Sequence, residues 1–222
     1  MEVAQQKSIR YNIPKGSIMM TKAEALAHQA NLVRNWKPQS DVWSLIYGRP
    51  ILAAAAAFTG LYINHRFRRK LKFRNYGLFA TTAGLTTGPT VATSILYSEF
   101  ILKKLLLLEV SCPLCLESRS VLLQTCTGIF LPLILTPLAN FSVAAGSGVY
   151  NIPHITDVKG VLRLVSSTYQ PMIPVLATIF TLHVLLAGFI TQSQIESFLH
   201  ILDVQNFKEQ EQRDKKHASN VF

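Results

Sequence analysis

Cys112 and Cys115 form the only Cys-x-x-Cys pair in the chain, within Ser111-Cys112-Pro113-Leu114-Cys115-Leu116-Glu117-Ser118-Arg119. Two thiols at this spacing can act as a thiol–disulfide couple, close as a structural disulfide, or supply half a metal site. With three cysteines in 222 residues, Cys126 is left alone and can complete neither an electron relay nor a zinc site, both of which need a second pair. His183 is the second chemically capable group, an ionisable residue inside an uncharged run, and such a residue in an apolar span raises a functional question by default. No intramembrane carboxylate is present to partner it, so a neutral imidazole bonded to a neighbouring helix is the expectation. There is no Gly-rich phosphate loop, no pair of intramembrane carboxylates, and no Ser/His/Asp set that periodicity brings together. The expectation is therefore a protein with no catalytic residue, no metal and no cofactor.

The third group is a basic cluster, His65-Arg66-Phe67-Arg68-Arg69-Lys70-Leu71-Lys72-Phe73-Arg74, with six Lys or Arg and no carboxylate. In a soluble protein this would suggest a nucleic-acid or nuclear-import patch. Here it separates two apolar stretches, 45–64 with one charge and 75–98 with none. Each is about long enough, at roughly 1.5 Å per residue, to cross a hydrocarbon layer of about 30 Å. The cluster is thus predicted to be a hydrated loop and a topogenic signal, since Lys and Arg in short loops collect on the insertion side. Nucleic acid drops out as a partner, and the lipid bilayer takes its place.

Composition agrees. The chain is 49% hydrophobic and 15% charged with a net charge of +10, too apolar and too poor in charge for an ordinary soluble domain. Residues 120–153 and 164–194 contain no Asp, Glu, Lys or Arg. The fold class expected is all-α, a polytopic membrane protein with four transmembrane helices at about 45–64, 75–98, 120–142 and 172–191. An N-terminal arm and amphipathic helix (1–40) precede the transmembrane domain (41–202), and a polar C-terminal tail (203–222) follows it. Thr21 and Glu24 have capping-box spacing, and Leu26, Ala30 and Val33 repeat at helical intervals up to Trp36, giving a short helix that lies on its own bundle or at the membrane interface. Residues 151–170 are expected as a connecting loop, and the tail from Lys208 is expected to fray. No cleavable signal core is expected, because the first apolar span begins late.

Small residues recur four apart as Ala53/Ala57 and Ala56/Gly60 in the first span, and as Ala80, Gly84 and Gly88 in the second. Such rows let helix backbones approach closely in lipid, so the two spans are predicted to pack on each other along them. Glu99 and Lys103, also four apart, are expected to pair on a solvated turn beyond the second span.

Asn64, Arg66, Phe67, Arg68, Arg69 and Lys70 after an Ala/Gly-rich first helix, with Cys112-Pro113-Leu114-Cys115 and Arg119 before the third, resemble the transmembrane protein 126 family. The likeness covers about 42–202 and leaves the segment before Ser40, the leucine run 105–108 and the tail outside it. The resemblance implies a multi-pass mitochondrial inner-membrane protein without enzymatic activity. It would be an assembly factor, a scaffold or chaperone for the membrane arm of respiratory complex I, with membrane-arm subunits and other assembly factors as partners. An accessory subunit retained in the complex is a second expectation. A four-helix protein with Cys-x-x-Cys also resembles the vitamin K epoxide reductase family, which makes a thiol oxidoreductase the enzymatic alternative, although those enzymes need a second cysteine pair. With four crossings the basic loop belongs on the matrix side, and the termini and cysteines on the other. The segment through Arg49, with seven bases against three acids, pulls the opposite way.

Overall fold

The computed structural model describes residues 20–72, 76–110, 112–147 and 158–219, and among them there are helices and turns but no strand. Helix α1 (Lys22–Asn35) starts at the expected capping box. The Glu24 amide donates to Thr21 Oγ1 (3.3 Å) and the Thr21 amide to Glu24 Oε2 (2.8 Å), so two otherwise unsatisfied donors are met. Its apolar stripe is short. Val33 is buried in the main core, Leu26 is half-covered and Ala30 is exposed. The arm 1–19 lies outside the described residues.

Helix α2 (Trp43–Lys70) runs farther than the first apolar span. The basic cluster is therefore not a loop through most of its length. Lys and Arg are good helix formers, and in a last turn they offset the negative end of the helix dipole, so the helix stops only past Lys70. Nor is the cluster wholly wet, since Phe67 and Arg68 are buried. Lys72 and Gly77 take left-handed backbone angles, φ 53° and 62°, which turn the chain back into α3 (Leu78–Tyr97). Residues 73–75, the end of the basic cluster, lie outside the described residues.

After α3 the rod continues through a π turn (Ser98–Leu102) into α4 (Lys103–Leu106). Lys103 Nζ lies 2.6 Å from Glu99 Oε1 on this turn, both about half exposed, as the spacing suggested. Helix α5 (Pro113–Thr125), a π turn (Cys126–Phe130) and α6 (Leu131–Ser147) make the third rod. It starts earlier than the predicted 120 because Pro113, preset for a first helical position, nucleates it ahead of the charges at Glu117 and Arg119. Pro132 cannot donate to a carbonyl four residues back, and the widened turn lies directly ahead of it.

Part of the predicted 151–170 loop is instead helix α7 (Val158–Tyr169). Val161, Leu164, Val165 and Thr168 face inward, while Lys159 and Arg163 face out, so charges at helical spacing had the look of a loop. The remainder, 151–157, with His154 and Asp157, lies outside the described residues, as does the glycine at 148. Helix α8 (Ile173–Ser219) is 47 residues long, about 70 Å at the standard rise. It does not end with the apolar residues near 191, because the polar stretch beyond them contains no Gly or Pro.

Among the described residues three stretches, Gln39–Lys70, Pro113–Gly146 and Lys159–Lys215, are long and apolar enough to cross a membrane. Helix α3 is not among them, since six threonines dilute it. Several of these bond back to carbonyls of the preceding turn, such as Thr86 Oγ1 to Thr82 O (2.8 Å) and Thr90 Oγ1 to Thr86 O (2.6 Å). Helix α3 lies antiparallel to α2 from Arg68–Thr81 at one end to Arg49–Ser98 at the other. The α5–α6 rod is antiparallel to α3, through Thr93–Thr127, and to α8, through Gln124–His183 and Ser120–Thr191. The result is an up-down-up-down bundle of four rods.

The predicted packing rows are corrected in part. In α2, Ala53, Ala56 and Gly60 are buried and Ala57 is half-covered. At Gly60 a Cβ would stand 2.3 Å from the Leu85 carbonyl oxygen, so α2 and α3 approach there more closely than any side chain allows. On α3, however, Ala80 and Gly84 face outward, with open space beside Gly84. The buried row is Thr81, Leu85, Pro89, Thr93 and Tyr97, one position along. One small partner, Gly60, is enough for close approach, and the larger buried row supplies the packing area.

Candidate functional site, a polar seam inside the bundle

The polar side chains of the four rods meet in the interior. His183 on α8 is buried, with Nδ1 3.0 Å from Gln124 Nε2 and Nε2 2.9 Å from Thr59 Oγ1. The tautomer follows from the neighbours. Gln124 Nε2 also lies 3.1 Å from the Leu52 carbonyl oxygen, to which only an amide N–H can bond. Its second hydrogen then goes to His183 Nδ1, so Nε2 carries the ring proton and donates it to Thr59. The Thr59 hydroxyl passes its own hydrogen to Ala55 O (3.0 Å). His183 is thus a neutral structural imidazole tying α8 to α2 and α5, not an acid or base with a free proton site. Gly128 makes room for it, since a Cβ there would sit 2.7 Å from His183 Cε1.

A second cluster lies toward the Cys-x-x-Cys end. Tyr97 donates to Gln194 Oε1 (2.8 Å) and lies 3.1 Å from Thr191 Oγ1, which reaches Ser120 Oγ at 2.6 Å. Gln194 Nε2 donates to Ser44 O (2.9 Å), and Gly48 keeps that face of α2 bare, because a Cβ there would meet Gln194 Nε2 at 2.6 Å. At the other end Asn140 Nδ2 donates to Asn64 Oδ1 (3.0 Å) and Arg68 reaches Thr81 Oγ1 (3.0 Å) and Tyr76 O (2.7 Å). Polar side chains between helices in lipid hold them together because the alternative is an unmet donor or acceptor in hydrocarbon. Of these residues only His183, Asn64 and Arg68 stood out in the sequence. Gln124, Thr191 and Gln194 were visible as polar residues in uncharged runs, and that signal could have found them.

The motif residues do not form one site. Asn64, Phe67 and Arg68 turn inward, and the Phe67 ring stacks edge-on to Phe141 at 5.8 Å. Arg66, Arg69 and Lys70 face the outside. Arg119 is far along the chain, at the Cys end. There Cys112 stands just ahead of α5 without a side-chain capping bond and, with Cys115, Lys104, Glu109 and Arg119, borders a recess of about 210 Å³. All three cysteines are free thiols. The neighbouring Cys115 side chain and backbone hold the Cys112 thiol below the ordinary thiol range. This polarises the pair, with Cys112 the better thiolate, but Cys126 lies in the π turn on the outer surface of the rod and offers no second pair. No group of three His, Cys, Asp or Glu that could hold a metal occurs among the described residues.

The profile of the family described as Transmembrane protein 126 matches residues 28–206. The match includes most of α1 and the leucine run 105–108, which the resemblance of short motifs had left outside. A Drosophila melanogaster protein named Transmembrane protein 126 is 35% identical over 198 residues, covering 88% of this chain and 85% of that protein. No solved structure matches. A profile spanning most of the chain and a relative this similar along nearly its whole length place it: the chain belongs to the transmembrane protein 126 family.

Proposed function

We propose that this protein is a non-enzymatic assembly factor of the mitochondrial inner membrane that holds membrane-arm subunits of respiratory complex I before they are joined. The observation that carries the reading is the contrast between inside and outside. Most of the interior polar side chains are engaged in bonds between or within the rods, such as Gln124–His183 and Tyr97–Gln194, and among the described residues only a few atoms, Gln124 Oε1, Thr136 Oγ1 and Asn140 Oδ1 included, lack a partner. The outer faces carry large apolar side chains, among them Phe58, Phe79, Leu122, Leu185 and Phe189. Lipid covers such a face by default, and a newly inserted subunit helix can replace lipid there at little cost because hydrocarbon tails and Leu are equally apolar. Helix α8 extends past the bilayer length and offers a polar handle for peripheral partners.

In this reading the chain crosses four times, α3 being carried across by its full-length pairing with α2, and the basic end of α2 faces the matrix. The test is deletion of the protein followed by native gels of the mitochondrial membranes. Stalled membrane-arm subassemblies are the expected result, and complex I at normal level without them would refute the assignment. Recovery of the tagged chain in finished complex I would instead make it a resident subunit.

A further inference from the structure

Arg66, Arg69 and Lys70 share the outer face of the last turns of α2, three and four residues apart, and point away from Arg68, which turns in toward α3. They border a recess of about 320 Å³ whose other wall includes Met172, just ahead of α8, and Val175 in its first turn. None of the three is paired with a carboxylate among the described residues. Tyr62, one turn below, fixes Arg66. Its hydroxyl oxygen accepts from Arg66 Nε (3.3 Å), and the guanidinium carbon lies 5.5 Å from its ring centre.

We propose that this recess binds the phosphodiester headgroup of an anionic phospholipid. The charge asks for a phosphate, and planar guanidinium groups suit its oxygens. The wall asks for a lipid rather than a free ion. Met172 and Val175 lie at the head of the uncharged part of α8, whose exposed surface continues with Phe180 and Leu182, so acyl chains below a bound headgroup would lie against apolar surface. The recess also sits where α2 changes from apolar to basic, the depth at which headgroups lie.

The full chain, purified in neutral detergent and reconstituted into nanodiscs of mixed phosphatidylglycerol and phosphatidylcholine, would be released and its co-purifying lipid measured by native mass spectrometry. Enrichment of phosphatidylglycerol is expected. In detergent titrations, each of Arg66→Gln, Arg69→Gln and Lys70→Gln should weaken lipid binding roughly fivefold, and the triple variant on the order of a hundredfold. Val175→Trp, which fills the recess and leaves every charge in place, should also abolish enrichment while keeping the native thermal transition. Lys208→Gln, a cation elsewhere, should change nothing. Equal retention of the two lipids, or full binding by Val175→Trp, would overturn the proposal. So would competition by inorganic phosphate at concentrations equal to the lipid, which would make the recess a free-anion site.

Discussion

Gly128→Ala tests the central claim that the buried imidazole is a structural fastener whose space is kept by a glycine. An added Cβ would lie 2.7 Å from His183 Cε1 and 2.9 Å from Nδ1, whereas carbon contacts relax to about 3.5 Å or more. The ring would have to withdraw by roughly 0.8 Å, taking Nδ1 from its present 3.0 Å contact with Gln124 to well beyond the range of a good bond. Interhelical bonds of this kind average about 0.6 kcal/mol and reach about 1.7, and overpacking adds roughly 1–3 kcal/mol. Alanine's better helix propensity returns about 1 kcal/mol. The net loss should be about 1–3 kcal/mol, read by reversible unfolding of the purified chain in mixed micelles. The decisive variant is the double mutant. With His183→Ala the clash is gone, so Gly128→Ala in that background should be neutral or stabilising, with a coupling energy of at least about 1 kcal/mol. A neutral Gly128→Ala, or two losses that simply add, would refute the packing of glycine against imidazole.

Gly60→Val should cost more, about 3 kcal/mol or loss of folding, because its Cβ meets backbone at the Leu85 carbonyl and neither helix can yield locally. Gly84→Ala, with open space around it, is the control and should be within about 0.5 kcal/mol of the parent. Acid should loosen α1. Glu24, bonded by the Thr21 amide, and Glu109, bonded by Lys22 at 2.7 Å, are both held below the usual carboxylate value of 4.5. A depressed pKa contributes stability that is present above that value and lost as pH falls through the lowered one. Protection of α1 amides from hydrogen exchange, relative to their intrinsic rates at each pH, should therefore fall on acidification below pH 4.5, and Glu109→Gln should lower it at neutral pH; unchanged protection would contradict this. In sealed membranes a membrane-impermeant maleimide added on the exposed side should modify Cys112 or Cys115 and spare Cys126, which faces outward within the apolar rod. Labelling of Cys126 at the same rate would place that rod outside the bilayer.

Much of the architecture was legible in the chain. Uncharged runs located the long helices, because no charged side chain is tolerated along such a length in lipid, and Thr21 with Glu24 located the start of α1, because a cap is a local bond. Helix ends were misplaced wherever charge was taken for a terminator. Arg66 to Lys70, Lys159 and Arg163 all lie in helix, and in the Pro113 to Arg119 stretch a proline at the first position outweighed the charges. Which face turns inward was not legible on α3. Ala80, Gly84 and Gly88 repeat as regularly as Thr81, Leu85 and Pro89, and a repeat of four fixes a row without saying which row meets a neighbour.

By itself the sequence determined that this is a helical membrane protein, where its apolar rods run, and to which family its motifs point, since these depend on composition and on spacing within one helix. Tertiary structure alone decided that His183 is bonded to Gln124 and Thr59, that Arg68 turns inward while Arg66, Arg69 and Lys70 share a recess with α8, and that Gly48, Gly60 and Gly128 each face a different neighbour. The physical reason is that such contacts join residues as many as 153 positions apart, and they form only once the rods have chosen their rotation about their own axes.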